Sequence, residues 1–335
     1  MKKYKSLLLT AGILFLLLIV ALAALMAGSY PISPTEVVDT FLGKGTALQE
    51  FTIYQIRLPR VVLAVVVASA LSISGGILQG ITRNPLSEPG MIGINAGAAL
   101  FVVLWISSGT STYYSALSTT TVLFLPAIAV SGSLLSAIFI YLFSYKRGIR
   151  PVRFILTGIG MNSGINAIIT FYQLNMSKGD YNQVLTWTNG SLWGSSFHYI
   201  LLTLPPVLIL ILITLFRSRT LDVLSLGDEL SAGVGVSIQK ELVFFLVIAA
   251  LLAALATAVA GNIAFLGLLG PQIARRITGP IHRKMLPLAA VVSSVILILA
   301  DTAARNLFSP VEIPVGIIVS VFGVPYFIYL MIKEK

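Results

Sequence analysis

Three arginines stand beside the ends of long apolar stretches in this chain: Arg57, Arg60 and Arg305. Cations in such positions suit an acidic partner protein, because complementary charge steers and orients docking. The alternative is a local role, in which the side chains snorkel to a membrane surface or pair within the chain. Asp301 lies four residues before Arg305, which is the spacing of an ion pair on one helix. The residues leave both interpretations open.

A second set of polar residues lies inside an apolar stretch, at 154–173. Gly158, Asn162 and Asn166 follow one another at intervals of four residues, so a helix places them on neighbouring turns of one face. Small residues let membrane helices approach closely, and amide groups can line a polar path. A translocation pathway and close helix packing are both compatible with this pattern.

The motifs of common enzyme classes are missing from the sequence. It contains no G-x-x-x-x-G-K-[ST] phosphate loop, no H-E-x-x-H and no G-x-S-x-G. The two histidines, His198 and His282, fall near opposite ends of the predicted spans and cannot share a site, and the absence of cysteine excludes thiol chemistry. We therefore predict no catalytic residue, no bound metal and no cofactor.

Carboxylates are also missing from the middle of the apolar stretches, and Asp301 lies near the end of one. A carrier driven by protons or sodium ions usually has such an intramembrane group. If the protein pumps, its energy must come from a partner.

The elements that position these residues are predicted by composition. Of 335 residues, 57% are hydrophobic and 10% are charged, whereas a soluble domain has roughly 25% charged residues. Apolar runs near the ~20 residues that a spanning helix needs recur along the chain, which predicts a single all-α polytopic membrane domain over residues 1–335. The net charge of +10 comes from short basic clusters between these runs, so it indicates membrane topology and not nucleic-acid binding.

About ten transmembrane helices are expected. The first apolar run, 6–27, is longer than the roughly 7–15 residues of a signal-peptide core, so we interpret it as an uncleaved span. The run at 264–277 is short and contains Gly270-Pro271, which predicts an interrupted or tilted span. The predicted spans are about 6–27, 61–79, 91–106, 120–143, 154–173, 200–216, 242–260, 264–277, 285–304 and 314–332.

The basic residues predict the orientation of these spans. With ten crossings, 17 of the 22 Lys and Arg residues fall on the side of the N-terminus and 5 on the opposite side. Cytoplasmic loops are the ones enriched in Lys and Arg, so both termini are predicted to be cytoplasmic.

The longest polar interruption in the C-terminal half is a hairpin at about 219–240. Ser225 followed three residues later by Asp228 matches a capping box, which predicts the start of a short helix. Gly233 and Gly235 are expected to supply the chain reversal that ends it. A capped, partly apolar helix between two spans suits docking to another protein, and a connecting or re-entrant loop is the alternative.

Motifs along nearly the whole chain resemble those of the FecCD-type permeases, the membrane subunits of bacterial importers for ferric siderophores, haem and cobalamin. Two positions depart from the common pattern: Gln272 stands where many members have His, and Glu88 where many have Asp. A glutamine at position 272 argues against a metal or proton role for that position. The resemblance is carried by Arg57-Leu58-Pro59-Arg60, Ser74-Gly75-Gly76, Gln79, Arg83-Asn84-Pro85-Leu86, Pro89-Gly90, Gly93, Leu226-Gly227-Asp228-Glu229, Gly233-Val234, Gly261, Phe265-Leu266-Gly267-Leu268, Pro271-Gln272-Ile273-Ala274-Arg275, His282-Arg283, Leu286-Pro287, Asp301, Arg305, Glu312-Ile313-Pro314-Val315-Gly316 and Gly323-Val324-Pro325.

The resemblance implies a type II ABC importer permease fold of ten helices in the bacterial cytoplasmic membrane. The implied partners are a second permease subunit, identical or sister, two cytoplasmic ABC ATPases, and an extracytoplasmic substrate-binding protein or lipoprotein. Arg57, Arg60 and Arg305 would receive acidic residues of the binding protein. The residues implied to couple the permease to the ATPases are Leu226, Gly227, Asp228, Glu229, Leu230, Ala232, Gly233, Val234 and Gly235.

The implied substrate is an iron–siderophore complex of the hydroxamate or catecholate type. Cobalamin and haem are the alternatives within the same class of importer. An ATP-independent secondary carrier is the alternative from another class, and the missing intramembrane carboxylates count against it.

Overall fold

The regular structure is helical throughout the part of the chain that the computed structural model describes, residues 2–108, 119–146, 148, 150–307, 309 and 311–333. A π-helical segment, Phe51–Arg57, joins the helix Ala47–Glu50 to the helix Leu58–Thr82. The α-helices are α1 (Lys2–Met26), α2 (Pro34–Phe41), α3 (Ala47–Glu50), α4 (Leu58–Thr82), α5 (Pro89–Ile92), α6 (Ile94–Ser107), α7 (Thr119–Ser144), α8 (Pro151–Leu174), α9 (Lys178–Thr188), α10 (Phe197–Phe216), α11 (Ser218–Ser225), α12 (Asp228–Gly233), α13 (Ile238–Ala260), α14 (Leu266–Thr278), α15 (His282–Asn306) and α16 (Val315–Lys333).

Eight helical stretches among these residues are long and apolar enough to cross a membrane: α1, α3 through α4, α7, α8, α10, α13, α15 and α16. Each coincides with a predicted span. The two remaining predicted spans correspond to α6, with 14 residues, and α14, with 13 residues. At 1.5 Å per residue both helices are shorter than the ~30 Å hydrocarbon core. The short helix α5 precedes α6, and Gly93, with a φ of 88°, breaks the chain direction between the two.

Helix α4 lies at the centre of the molecule. It packs against α13, α14 and α15, and 83% of its spanning window is buried, compared with 17% for α1 and 22% for α8. Burial on all sides requires a helix that is apolar or small all round, which the Ala-, Ser- and Gly-containing sequence of α4 provides. The peripheral helices keep the large exposed Leu, Ile and Phe side chains that suit lipid.

Backbones approach closely where glycines of α4 and α14 meet. A Cβ atom added at Gly75 would lie 1.9 Å from the carbonyl oxygen of Gly267. Because that neighbour is backbone and not a flexible side chain, the two helices would have to separate to admit even a methyl group.

We therefore expect Gly75→Ala to destabilise the protein by about 1–3 kcal/mol or more through overpacking. The measurement is the thermal unfolding midpoint of the purified protein in detergent. Gly12→Ala on α1 is the matched control, since a Cβ atom there meets nothing within 4 Å. Equal midpoints for the two variants would contradict the prediction.

The structure differs from the sequence predictions in two connecting and spanning segments. Helix α14 runs through Pro271 without the predicted interruption, and the close approach of Gly270 to the hydroxyl groups of Ser72 and Ser293 explains why glycine precedes it. The chain between the predicted spans 154–173 and 200–216, to which the sequence assigned no helix, contains α9, capped by the Ser177 hydroxyl. The Ser/Thr-rich stretch between the predicted spans 91–106 and 120–143 lies largely outside the described residues.

Candidate functional site

Arg57 holds the end of α1 in place. Its Nη1 donates to the carbonyl oxygens of Leu25 at 2.7 Å and Met26 at 3.1 Å, and its Nη2 donates to the carbonyl oxygen of Tyr30. The last carbonyl groups of a helix lack partners within the helix, and a cation at that end also complements the helix dipole. Arg57 is 4% exposed. Arg57 therefore acts in this structure as a cap supplied by a distant part of the chain.

Arg60 lies between two carboxylates. Its Nε donates to both carboxylate oxygens of Asp301, at 2.8 and 3.0 Å, while Nη1 and Nη2 donate to Glu312 at 3.3 and 3.0 Å. The side chains of Arg60 and Asp301 are 8% and 5% exposed, whereas that of Glu312 is 36% exposed. Low local dielectric strengthens such pairing and makes the loss of one partner costly.

Arg305 completes this cluster from α15. Its Nε lies 3.2 Å from Asp301 Oδ2, and its Nη2 donates to the carbonyl oxygen of Ala24 at 3.3 Å. The intrahelical pair suggested by the four-residue spacing therefore forms. We name this end of the molecule, with Arg57, Arg60 and Arg305, the arginine face. In this structure all three arginines make contacts within the chain, which is the local role given above as the alternative. Docking of a partner protein at the arginine face remains a prediction.

The predicted hairpin lies at the opposite end of α4. It consists of α11 and α12, and we name this end of the molecule the hairpin face. The predicted capping box is wrong, because the N-cap of α12 is Gly227, at φ 112°, and the Ser225 hydroxyl donates to the carbonyl oxygen of Asp222. Gly235, at φ 85°, reverses the chain, whereas Gly233 is still helical.

Ser231 makes the side-chain hydrogen bonds that hold α12 in place. Its hydroxyl is buried and lies 2.9 Å from the carbonyl oxygen of Val223 and 2.6 Å from that of Gly227. Because Val223 belongs to α11, this hydroxyl ties α12 back onto α11.

The hairpin presents an apolar surface outside the spanning helices. Leu226, Leu230 and Val234, spaced by four residues, are 62%, 59% and 71% exposed. Of the nine predicted coupling residues, Gly227 is half-buried and the others are exposed. Exposed apolar stripes that no lipid covers mark sites of contact with another protein.

Polar contacts fasten the hairpin to two central helices. Arg83, the C-cap residue of α4, donates from Nε to the carbonyl oxygen of Leu224 at 3.2 Å and pairs with Asp228. Asp222 Oδ1 accepts the backbone N–H of His282 at 2.8 Å and lies 2.6 Å from His282 Nδ1. Sequence reasoning had assigned no role to Arg83, Asp222 or His282.

The predicted pathway residues on α8 divide between the two alternatives. A Cβ atom at Gly158 would lie 2.7 Å from the carbonyl oxygen of Ile92, so this glycine serves close packing against α5. Asn166 is exposed and donates to the carbonyl and side-chain oxygens of Asn162 at 2.8 and 2.9 Å. An exposed amide within a spanning helix favours a water-filled or protein-covered face, so a pathway role for Asn162 and Asn166 remains a prediction.

Because the chain contains no cysteine, single cysteines can test that prediction. We expect Asn166→Cys to react with a membrane-impermeant maleimide, since the reactive thiolate forms only where water reaches the sulfur. Leu14→Cys, exposed on the apolar helix α1, is the control and should stay unmodified in membranes. An unreactive cysteine at position 166 in every state of the transport cycle would contradict the pathway role.

Glu88, which the sequence analysis noted only as a departure from the family pattern, is a buried carboxylate. It lies in the connection between α4 and α5 and is 4% exposed. Burial raises the pKa of Glu88 to about 7, against the lowering effect of a hydrogen bond from the Phe265 backbone N–H. Gln272 Nε2 donates to the carbonyl oxygen of Pro85 at 2.7 Å and so holds the same connection. Gln272 therefore has a structural hydrogen-bonding role.

Comparisons with known proteins agree with this arrangement. The chain is 42% identical to the iron(3+)-hydroxamate import system permease protein FhuG of Bacillus subtilis, over 100% of this chain and 99% of the relative. It is 37% identical to the hemin transport system permease protein HmuU of Yersinia pestis, over 84% of this chain and 83% of the relative.

A solved structure shares the fold. It is described as an inward-facing conformation of a metal-chelate type ABC transporter, and it superposes with a TM-score of 0.84 at 29% identity, covering 97% of this chain and 99% of that one. The model of the FecCD transport family matches residues 16–333, and the chain therefore belongs to the FecCD transport family.

Proposed function

We propose that the chain is the membrane-spanning permease subunit of a binding-protein-dependent ABC importer that carries a ferric hydroxamate. The observation that carries the substrate is the 42% identity, over the whole chain, to a ferric-hydroxamate permease. A ferric catecholate is the nearest alternative. Haem and cobalamin follow, because permeases named for them also match most of the chain.

The proposed energy source is a pair of cytoplasmic ABC ATPases that bind the hairpin face. The exposed stripe of Leu226, Leu230 and Val234 supports this assignment, since no lipid would cover it outside the spanning helices. The chain itself has no phosphate loop, so hydrolysis takes place in the partners. With the ATPases at the hairpin face, both termini are cytoplasmic, in agreement with the distribution of Lys and Arg.

The proposed partner at the arginine face is an extracytoplasmic substrate-binding protein or lipoprotein. Arg57, Arg60 and Arg305 outnumber Asp301 and Glu312 in the cluster beneath that face. The excess positive charge attracts the acidic residues that such a protein would present. A second permease subunit, identical or sister, covers the exposed face of α8, where a Cβ atom added at Gly160 or Gly164 would meet no atom of the described chain within 4 Å.

The mechanism follows from these placements. ATP binding brings the ATPases together, the hairpin passes that movement to the spans, and a rigid-body shift of the helices changes the side to which the pathway opens. The permease forms and breaks no covalent bond. Its contribution is to bind its partners and to change shape between discrete packed states.

The experiment is uptake of radiolabelled iron by a strain that lacks its own permease and expresses this chain with its binding protein and ATPases. We expect uptake from a ferric hydroxamate, abolished when the ATPases cannot hydrolyse ATP. Competition with unlabelled ferric catecholate, haem and cobalamin identifies the substrate class. Uptake that persists without ATP hydrolysis would indicate a secondary carrier instead.

A further inference from the structure

The first turn of α15 receives its cap from the hairpin. The N-cap position of α15, Ile281, makes no side-chain hydrogen bond of its own. Asp222 of α11 takes that role, because its Oδ1 accepts the backbone N–H of His282 at 2.8 Å. The first N–H groups of a helix need an acceptor, and a negative charge there also complements the helix dipole.

The same oxygen also orients the buried ring of His282. Asp222 Oδ1 lies 2.6 Å from Nδ1 of that ring, which is 2% exposed. The ring packs against α4, where a Cβ atom at Gly80 would lie 2.8 Å from its Nε2. One carboxylate therefore links α11 to α15 and, through the imidazole ring, to α4.

Apolar packing alone would not make that link directional. Leu221 and Leu224 of α11 are fully buried and stabilise its contact with the spans, but apolar contacts have no preferred direction along a surface. Charge-assisted hydrogen bonds fix both distance and orientation. The paired contacts of Asp222 thus set the register between α11 and α15.

Helices α4 and α15 are joined at the arginine face as well. Arg60, near the start of α4, is bonded to Asp301, near the end of α15. The two helices pack along each other. At the hairpin face α11 bridges them, through the bond from Arg83 to Leu224 and the bond from His282 to Asp222. The two helices therefore form a unit that reaches from the hairpin face to the arginine face.

We propose that Asp222 is a positioning residue that transmits movement of the hairpin to the α4–α15 pair, so that ATP hydrolysis drives transport. This inference rests on the proposed function. Without the two bonds from Asp222, the hairpin follows the ATPases while α15 lags behind. Hydrolysis then continues but moves fewer substrate molecules.

The test is the number of ATP molecules hydrolysed per ferric hydroxamate transported by the whole importer in proteoliposomes. For Asp222→Ala we expect about a tenfold rise in that ratio, the size of a typical coupling free energy. Asp222→Asn keeps an oxygen that can accept the His282 backbone N–H but loses the charge, so its ratio should lie between those of the wild type and Asp222→Ala. Lys284→Ala, exposed on the first turn of α15, is the control and should match the wild type.

Several outcomes would overturn the inference. An unchanged ratio in Asp222→Ala, or hydrolysis and transport that fall together, would reduce Asp222 to a structural role. If Asp222→Ala does not assemble with the ATPases, Asp222→Asn replaces it in the comparison. Its missing charge should raise the number of ATP molecules hydrolysed per substrate detectably, and a wild-type value for Asp222→Asn would then refute the proposal. A wild-type importer that moves no ferric hydroxamate would instead refute the proposed function itself.

Discussion

Replacing Asp301 by asparagine is expected to destabilise the protein by about 3–5 kcal/mol, because it leaves buried guanidinium groups without their shared counterion. Asp301 is the inner partner of both Arg60 and Arg305, and its side chain is 5% exposed. Asparagine has nearly the same shape, so lost packing contributes little. The expected loss comes from unpaired charge in a region of low dielectric.

The measurement is the thermal unfolding midpoint in detergent, with Glu312→Gln as the matched control. Glu312 also bonds to Arg60, but its side chain is 36% exposed, so water can replace it; we expect that loss to stay near 1 kcal/mol. Equal midpoints for wild type and Asp301→Asn, with weakened capture of the binding protein, would contradict the structural role and favour docking as the main task of the cluster.

Replacing Leu230 by aspartate is expected to abolish uptake while leaving the fold intact. Leu230 is 59% exposed at the centre of the apolar stripe on the hairpin. A charge there would be buried without a partner against an ATPase, and loss of a central interface anchor costs about 2 kcal/mol or more, at least ~30-fold in affinity. Leu230 makes little contact with its own chain, so the unfolding midpoint should not change.

Copurification of the ATPases with the tagged permease measures this effect directly, alongside uptake. Val38→Asp is the matched control, since Val38 is similarly exposed, at 56%, on α2, outside the spanning helices. It should retain the ATPases in full. If Leu230→Asp retains them and transports at the wild-type rate, the hairpin is only a connector.

Hydropathy along the chain was sufficient to predict the spanning helices. Each of the eight long spans depends on a local run of apolar residues, and the cost of exposing backbone polar groups to lipid makes such a run helical. The hairpin was equally visible, as a polar interruption between two such runs. Helix caps were harder to predict than spans. Ser33 and Glu36 form a reciprocal capping box. Ser225 and Asp228 have the same spacing but form none, because Gly227, with its positive φ, is the N-cap of α12.

The sequence by itself determined the class of protein, the order of its spans, the hairpin and the family, because these depend on local composition and on motifs read along the chain. The pair of Asp301 and Arg305 within α15 was visible in its spacing, but only the tertiary structure decided which charges meet between distant parts of the chain. Arg60 and Asp301 are 241 residues apart, and Arg60 and Glu312 are 252 apart. Asp222 and His282 meet across 60 residues. Such pairs arise where elements distant in sequence pack side by side, so their partners follow from tertiary packing and cannot be read from spacing.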